Sequence, residues 1–223
     1  FPPDEATLFA DNRHYDLSTC EVLSLLPVSP LDFKPDGSIY STGKYLGFPD
    51  VSTVQLVDVV KQTEVYSTTS PGMVMFLEFS PDGHLLSGGF QGNHFHNIVW
   101  DLSSREKIAD LIDYDEGLTF NSDGSLAATV KGNQVYLFTT EKMTWLTTYG
   151  FSDPNAQVYI SGFSIGGDIL AVEDRYSIQF LESLSGKELG NLADECNAKF
   201  SPNGSILVTW CYQTDLKIWG VLP

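Results

Sequence analysis

The sequence predicts an all-β fold, a β-propeller of four-stranded antiparallel blades, and three observations carry the expectation. A phenylalanine followed by a Pro/Asp/Gly-type turn recurs six times: FPPDE at Phe1, FKPDG at Phe33, FSPDG at Phe79, FNSDG at Phe120, FSIGG at Phe163 and FSPNG at Phe200. The copies are 32, 46, 41, 43 and 37 residues apart, the irregular period of a repeat unit rather than of a single sheet. Between them lie short runs of Val, Ile, Leu, Phe, Tyr and Thr punctuated by Gly, Pro, Asn and Asp, and no 12-residue window holds a helical stripe. One four-stranded sheet cannot bury both of its faces. Stacking such sheets radially buries each face against a neighbour and leaves only short edges.

Each copy follows one plan. A first strand ends at the phenylalanine, as in LDF, LEF, LTF and AKF. Proline presets φ and Gly or Asn accepts a positive φ, so the following turn is tight. The second strand is expected at 38–42, 85–87, 125–130, 169–172 and 206–210, and the third at 54–59, 96–101, 134–138, 178–181 and 216–219. A Ser/Thr/Lys/Gly-containing turn then leads to an outer strand, expected at 22–26, 64–66, 107–111 and 189–192. The units span approximately 1–29, 30–69, 70–112, 113–150, 151–193 and 194–223, all in a single domain. The first unit opens at the end of its first strand and the last stops after its third, so the expectation is a chain truncated at its N-terminus from a six- or seven-bladed parent.

VWDLSSREKIADL at 99–111, YDLSTCEVLSLL at 15–26 and LKIWGVLP at 216–223 resemble the third-strand ends of WD-repeat proteins, and the SPDG turns resemble bacterial members of that family. The resemblance covers essentially the whole chain, and the TolB-like propellers share the SPDG turn. The sequence departs from the pattern in two ways. No copy carries the Gly-His pair before its first strand, and Trp-Asp is complete only at Trp100–Asp101, becoming Tyr15–Asp16, Val57–Asp58 or Trp219–Gly220 elsewhere.

Composition excludes several roles. Asp and Glu number 29 against 12 Lys and Arg, a net charge of −17, which repels phosphate backbones and anionic headgroups. Nucleic acid and membrane surfaces are therefore not expected partners. No apolar run reaches the roughly 20 residues of a membrane-spanning helix. Three cysteines are too few for a disulfide framework: Cys196 and Cys211 flank the last hairpin and are expected to be buried thiols, and Cys20 an unpaired turn residue.

Short chemical motifs have competing readings. Gly162-Phe163-Ser164-Ile165-Gly166 matches the hydrolase nucleophile pattern, but it falls on the repeat's turn between two strands, not on a strand-to-helix elbow. His94 and His96 could face a metal together, yet no cysteine lies nearby and the closest other histidine is His84. Asn203-Gly204-Ser205 is a glycosylation sequon and also a tight-turn sequence. No catalytic set, metal site or cofactor is expected.

Family geometry implies that the loops leading out of the second and fourth strands share one face. That face would carry Tyr45, Phe48, Phe90, Phe95, Tyr114 and Phe151 among carboxylates, a combination suited to a protein or peptide partner, basic segments in particular. The expected function is a non-catalytic interaction scaffold. The alternatives are a sensor or ligand-binding domain of a larger bacterial protein, or a propeller enzyme of hydrolase or lactonase type.

Overall fold

The computed structural model describes residues 7–10, 13–48, 50–195, 197–201, 205–211 and 216–220. The FPPDE copy, Cys196 and Asn203 lie outside them. The chain divides into two compact units, Phe1–Ile112 and Asp113–Pro223. Each holds three antiparallel sheets, and within every sheet each strand pairs with the next in sequence.

In the first unit, β1 (Thr7–Ala10), β2 (Arg13–Asp16) and β3 (Val22–Leu25) form one sheet. A second sheet contains β4 (Asp32–Phe33), β5 (Ile39–Gly47), β6 (Val51–Asp58) and β7 (Glu64–Pro71). The third contains β8 (Met73–Phe79), β9 (Leu85–Gln91), β10 (Phe95–Asp101) and β11 (Glu106–Ile112). In the second unit, the fourth sheet is β12 (Thr119–Phe120), β13 (Leu126–Lys131), β14 (Gln134–Thr139) and β15 (Thr144–Gly150). The fifth is β16 (Tyr159–Phe163), β17 (Ile169–Glu173), β18 (Ser177–Glu182) and β19 (Glu188–Ala193), and the sixth is β20 (Asn197–Phe200), β21 (Ile206–Trp210) and β22 (Lys217–Gly220). A three-residue 3₁₀ turn, Ile165–Gly167, is the only helix among the described residues.

Two turn devices repeat. After the first strand, the residue following the phenylalanine reaches over the turn and accepts the N–H five positions on. Ser80 Oγ takes Leu85 N–H at 2.9 Å, Asn121 Oδ1 takes Leu126 at 2.9 Å, Ser164 Oγ takes Ile169 at 3.2 Å and Ser201 Oγ takes Ile206 at 3.0 Å. After the third strand, an aspartate caps the next turn. Asp16 Oδ1 accepts the N–H groups of Ser18 and Thr19, Asp58 those of Val60 and Lys61, and Asp101 those of Ser103 and Ser104. These are Asx turns, and they account physically for the aspartate of the Trp-Asp pattern even where the tryptophan is replaced. Each of these three turns closes on a left-handed residue, Cys20, Gln62 or Arg105, and Met143 and Gly186 hold the same place in the turns after β14 and β18, which open on Thr139 and Glu182.

Between the third and outer strands the register slips once in five sheets, just before the turn. A bulge there increases the local twist and interrupts the outer edge, which discourages pairing with other chains.

Burial follows strand position. The second strands are covered on both faces: six consecutive residues of β9 and five of β13 are buried. The outer strand β7 is mostly exposed. Val54 and Leu56 of the second sheet pack with Leu77, Phe79, Leu86, Phe90, Ile98 and Trp100 of the third. Leu126, Val130 and Leu137 of the fourth sheet pack with Phe163, Leu170 and Leu181 of the fifth. Carboxylates fasten neighbouring sheets within each unit by accepting first-strand N–H groups of the following sheet. Asp32 Oδ2 takes Phe79 N–H at 2.7 Å, Glu116 Oε2 takes Ile160 at 3.2 Å and Glu173 Oε2 takes Ala198 at 2.7 Å.

Two expectations change here. The outer strand β15 was not anticipated, although TWLTTYG consists almost wholly of β-forming residues. The second strand expected at 85–87 does not end there: β9 runs through Gly88–Gly89 to Gln91. A Cβ on Gly88 would lie 2.7 Å from Leu77 Cδ2, and one on Gly89 2.2 Å from Phe76 Cε1. The glycines make room for side chains of the adjacent strand, one of the uses of glycine inside a strand.

Candidate functional site

The six aromatics expected on one rim have three different fates. Phe90 is fully buried in β9, edge-on to Trp100 at 5.9 Å between ring centres. Phe151 is also a core residue, edge-on to Tyr149 and packed among the side chains of the fourth and fifth sheets. Both are corrected from rim to core: each follows or lies in a strand segment longer than the sequence suggested, and so turns inward. Phe95 is half-buried and tilted against Phe76 at 6.5 Å. Tyr114 is half-buried against Tyr136, with Lys131 Nζ 5.1 Å from its ring centre.

Tyr45 and Phe48 remain on the surface. They sit at the tip of the β5–β6 hairpin, whose pairing continues out to Tyr45↔Ser52 and Gly47↔Val51. Tyr45 is 42% exposed, Leu46 51% and Phe48 wholly exposed. Tyr45 Oη donates to Asp50 Oδ1 at 2.8 Å, and that bond to a carboxylate pushes the phenol pKa up, keeping it a neutral donor. Asp50 in turn anchors the tip, because its carbonyl accepts Gly72 N–H at 2.8 Å. Next to Gly72, Met73 and Met75 are exposed on β8. The tip thus presents an aromatic and aliphatic surface around one carboxylate on a strand-built support. Sequence reasoning found Tyr45 and Phe48 but missed Leu46, Met73 and Met75. The two methionines alternate with Val74 along β8, a period-two signal that was available.

The other motifs settle into the scaffold. Ser164 is buried, and its Oγ makes the turn bond shared with Ser80 and Ser201. His96 Nδ1 lies 2.8 Å from Asp110 Oδ1, and Lys107 Nζ is 3.0 Å from the other oxygen. Desolvation pushes the Asp110 carboxyl up, but the hydrogen bonds from His96 and Lys107 outweigh it and hold the pKa low. His94 is exposed. Cys20 is free and exposed. Cys211 is disulfide-bonded, which corrects its expected state as a free thiol.

Within each unit, antiparallel meanders of mostly four strands pack face to face, with first strands fastened by carboxylates of the preceding segment, and this defines an all-β chain of the β-propeller class. Among solved structures the chain is similar to Kuenenia stuttgartiensis hydrazine synthase, a β-propeller-containing protein, with a TM-score of 0.64 at 17% identity over 94% of this chain and 71% of that one. In all, 1182 solved chains match, the breadth expected of an architecture that hosts many unrelated activities, so the likeness speaks for the fold alone. No family model and no curated protein matches the chain.

Proposed function

We propose that this chain is a non-catalytic interaction scaffold of the WD-repeat kind, and that it takes a protein or peptide partner at the β5–β6 tip. The observation that carries the reading is the wholly exposed Phe48 beside the exposed Tyr45 and Leu46. Aromatic side chains supply a large share of interface energy, and a cluster of them on a rigid hairpin loses little conformational entropy on binding. The aspartate-capped turns after β2, β6 and β10 support the WD-repeat assignment, since one residue does the same work in each. The structural use of the Ser164 hydroxyl supports the non-catalytic part. Asp50 and the net charge of −17 favour basic peptides.

A peptide array probed with the wild type and with the Tyr45→Ala/Phe48→Ala double variant tests the proposal. Basic peptides that also carry an apolar residue should be retained by the wild type. The double variant should bind them at least about tenfold more weakly, the loss expected from removing a hot-spot aromatic. Retention unchanged by the double substitution places binding elsewhere.

A further inference from the structure

The end of the first unit that carries the Pro-Asp-Gly turns holds a cavity of about 310 Å³ between the second and third sheets. Its apolar walls include Ile39, Leu56 and Leu102. Its polar lining includes Lys34, His84 and Arg105. A chain with only 12 Lys and Arg against 29 acids thus places two of its cations and one imidazole around a single apolar hollow.

The two cations differ. Lys34 Nζ is 2.7 Å from Asp36 Oδ2, and the hydrogen bonds from Lys34 and Ser38 hold the Asp36 pKa down at about 2. Lys34 is therefore neutralised in place. Its stem lies over the next sheet's turn, where a Cβ on Gly83 would come within 2.9 Å of Lys34 Cε. Arg105 makes no ion pair among the described residues. Its guanidinium carbon stands 5.8 Å from the centre of the Tyr66 ring, and Tyr66 Oη donates to the Arg105 carbonyl at 3.3 Å. The left-handed backbone of Arg105 (φ 61°) is fixed by the Asp101-capped turn. The turn fixes the backbone and the Tyr66 ring faces the guanidinium, so the exposed Arg105 is aimed before a ligand arrives, and its planar donors match a carboxylate in two-point fashion.

We propose that this cavity is a second docking site, for a peptide segment of a partner protein in which a carboxylate stands beside an apolar side chain. The carboxylate pairs with Arg105 and accepts a hydrogen bond from His84, while the apolar side chain enters the hollow over Leu56 and Leu102. Charge complementarity selects this occupant, because Arg105 is a cation with no ion pair among the described residues, on a protein of net charge −17. At the lower bound of the roughly 300–1,000 Å³ typical of ligand pockets, the volume suits side chains of an extended segment better than a bulky cofactor. The site opens on different turns from the β5–β6 tip and prefers the opposite charge, so it stands independently of the function proposed above.

Fluorescence anisotropy with the whole chain tests it, using a labelled peptide of alternating Glu and Leu and a matched peptide of alternating Gln and Leu. The Glu peptide should bind saturably and the Gln peptide at least about tenfold more weakly, the scale of one charge-assisted hydrogen bond. Arg105→Glu, and Arg105→Gln as the milder variant, should abolish the preference, while Arg175→Glu and the Tyr45→Ala/Phe48→Ala double variant should leave it intact. Thermal melts of each variant establish that it is folded. Equal binding of both peptides, no saturable binding of the Glu peptide, or a preference that survives both Arg105 substitutions overturns the proposal. Binding of sodium octanoate at this site without binding of the Glu peptide also overturns it, in favour of a small apolar carboxylate.

Discussion

Residue 20 stands four positions after Asp16, at φ 58°, in the same left-handed slot that Gln62, Arg105, Met143 and Gly186 fill in the later turns. A side chain there pushes Cβ toward the following carbonyl, which costs an L-residue about 1–2 kcal/mol that glycine avoids. Only Gly186 has the residue type the geometry prefers. Cys20 is free and exposed, so its replacement removes no packing. Cys20→Gly should therefore raise stability by about 1 kcal/mol, less the extra entropy glycine brings to the unfolded chain. Urea unfolding of the two proteins side by side measures it, and a lower midpoint for the variant means that the turn holds Cys20 by contacts other than its backbone. These slots were not legible in the sequence, because Cys, Gln, Arg and Met carry no mark of a left-handed backbone. The aspartate that opens three of these turns, Asp16, Asp58 and Asp101, was legible, because a carboxylate two or three residues before free N–H groups has one common use. Phe90 and Phe151 were misplaced for a related reason. A strand covered on both faces shows no alternation that separates inward from outward, and the glycines and polar residues around Phe90 resemble a loop.

At the scale of the strand, the GG pair in β9 is a packing device, and it can be tested as one. The added methyl of Gly88→Ala would meet Leu77 at 2.7 Å and the Phe90 ring at 2.9 Å, both in the core between the second and third sheets. Overpacking of this kind costs about 1–3 kcal/mol. Gly150→Ala, which meets only Gln134 at 3.8 Å, should change stability by no more than about 0.5 kcal/mol. Equal denaturation midpoints for the two variants mean that the core relaxes around the methyl. The first strands raise a different matter, because they gather carboxylates. Burial pushes Asp32 up, and burial with the nearby negative charge of Asp32 pushes Glu78 up to about 7, although water still reaches the Glu78 side chain and screens part of the penalty. A carboxylate whose folded pKa lies above its unfolded value of about 4.3 favours the fold most below that value. The contribution is lost as pH rises from there through about 7, leaving an ionised and unfavourable group above it. Glu78→Gln should consequently melt higher than the wild type at pH 8, and the gap should close at pH 5. Glu141→Gln, an exposed carboxylate elsewhere, controls for the loss of one charge. A gap that is constant with pH, or matched by the control, removes Glu78 from the account. The clustering itself was not legible in sequence, since Asp32 and Glu78 lie 46 residues apart and meet only when two sheets stack.

Across the whole molecule the repeat was readable because the turn sequence recurs, with the same side-chain bond at Ser80, Asn121, Ser164 and Ser201, and a repeat of turns fixes the strands between them even where the strands differ. The balance of charge is a whole-molecule property that no single unit displays. With 29 acids and 12 Lys and Arg, the acids exceed the strong bases by 17. The pairs that do form lie largely at the surface, such as Lys61 with Asp58 and Lys107 with Asp110, and exposed pairs contribute about 0–1 kcal/mol each. Net self-repulsion opposes the compact state, and it is screened as the Debye length shrinks from about 30 Å at 0.01 M salt to about 3 Å at 1 M. Repulsion summed over the unpaired acids exceeds what a few screened surface pairs lose, so salt should stabilise this protein at pH 7. Sodium chloride added from low to high concentration should raise the melting temperature steeply at first and then level off as screening saturates. Sodium sulfate should raise it further, because exclusion of sulfate from the surface strengthens apolar burial separately. A melting temperature that falls with added chloride means that attractive pairs, not excess acids, dominate the electrostatics of the fold. Lys34 with Asp36, beside the proposed Arg105 pocket, is then the first pair to remove, by Lys34→Met.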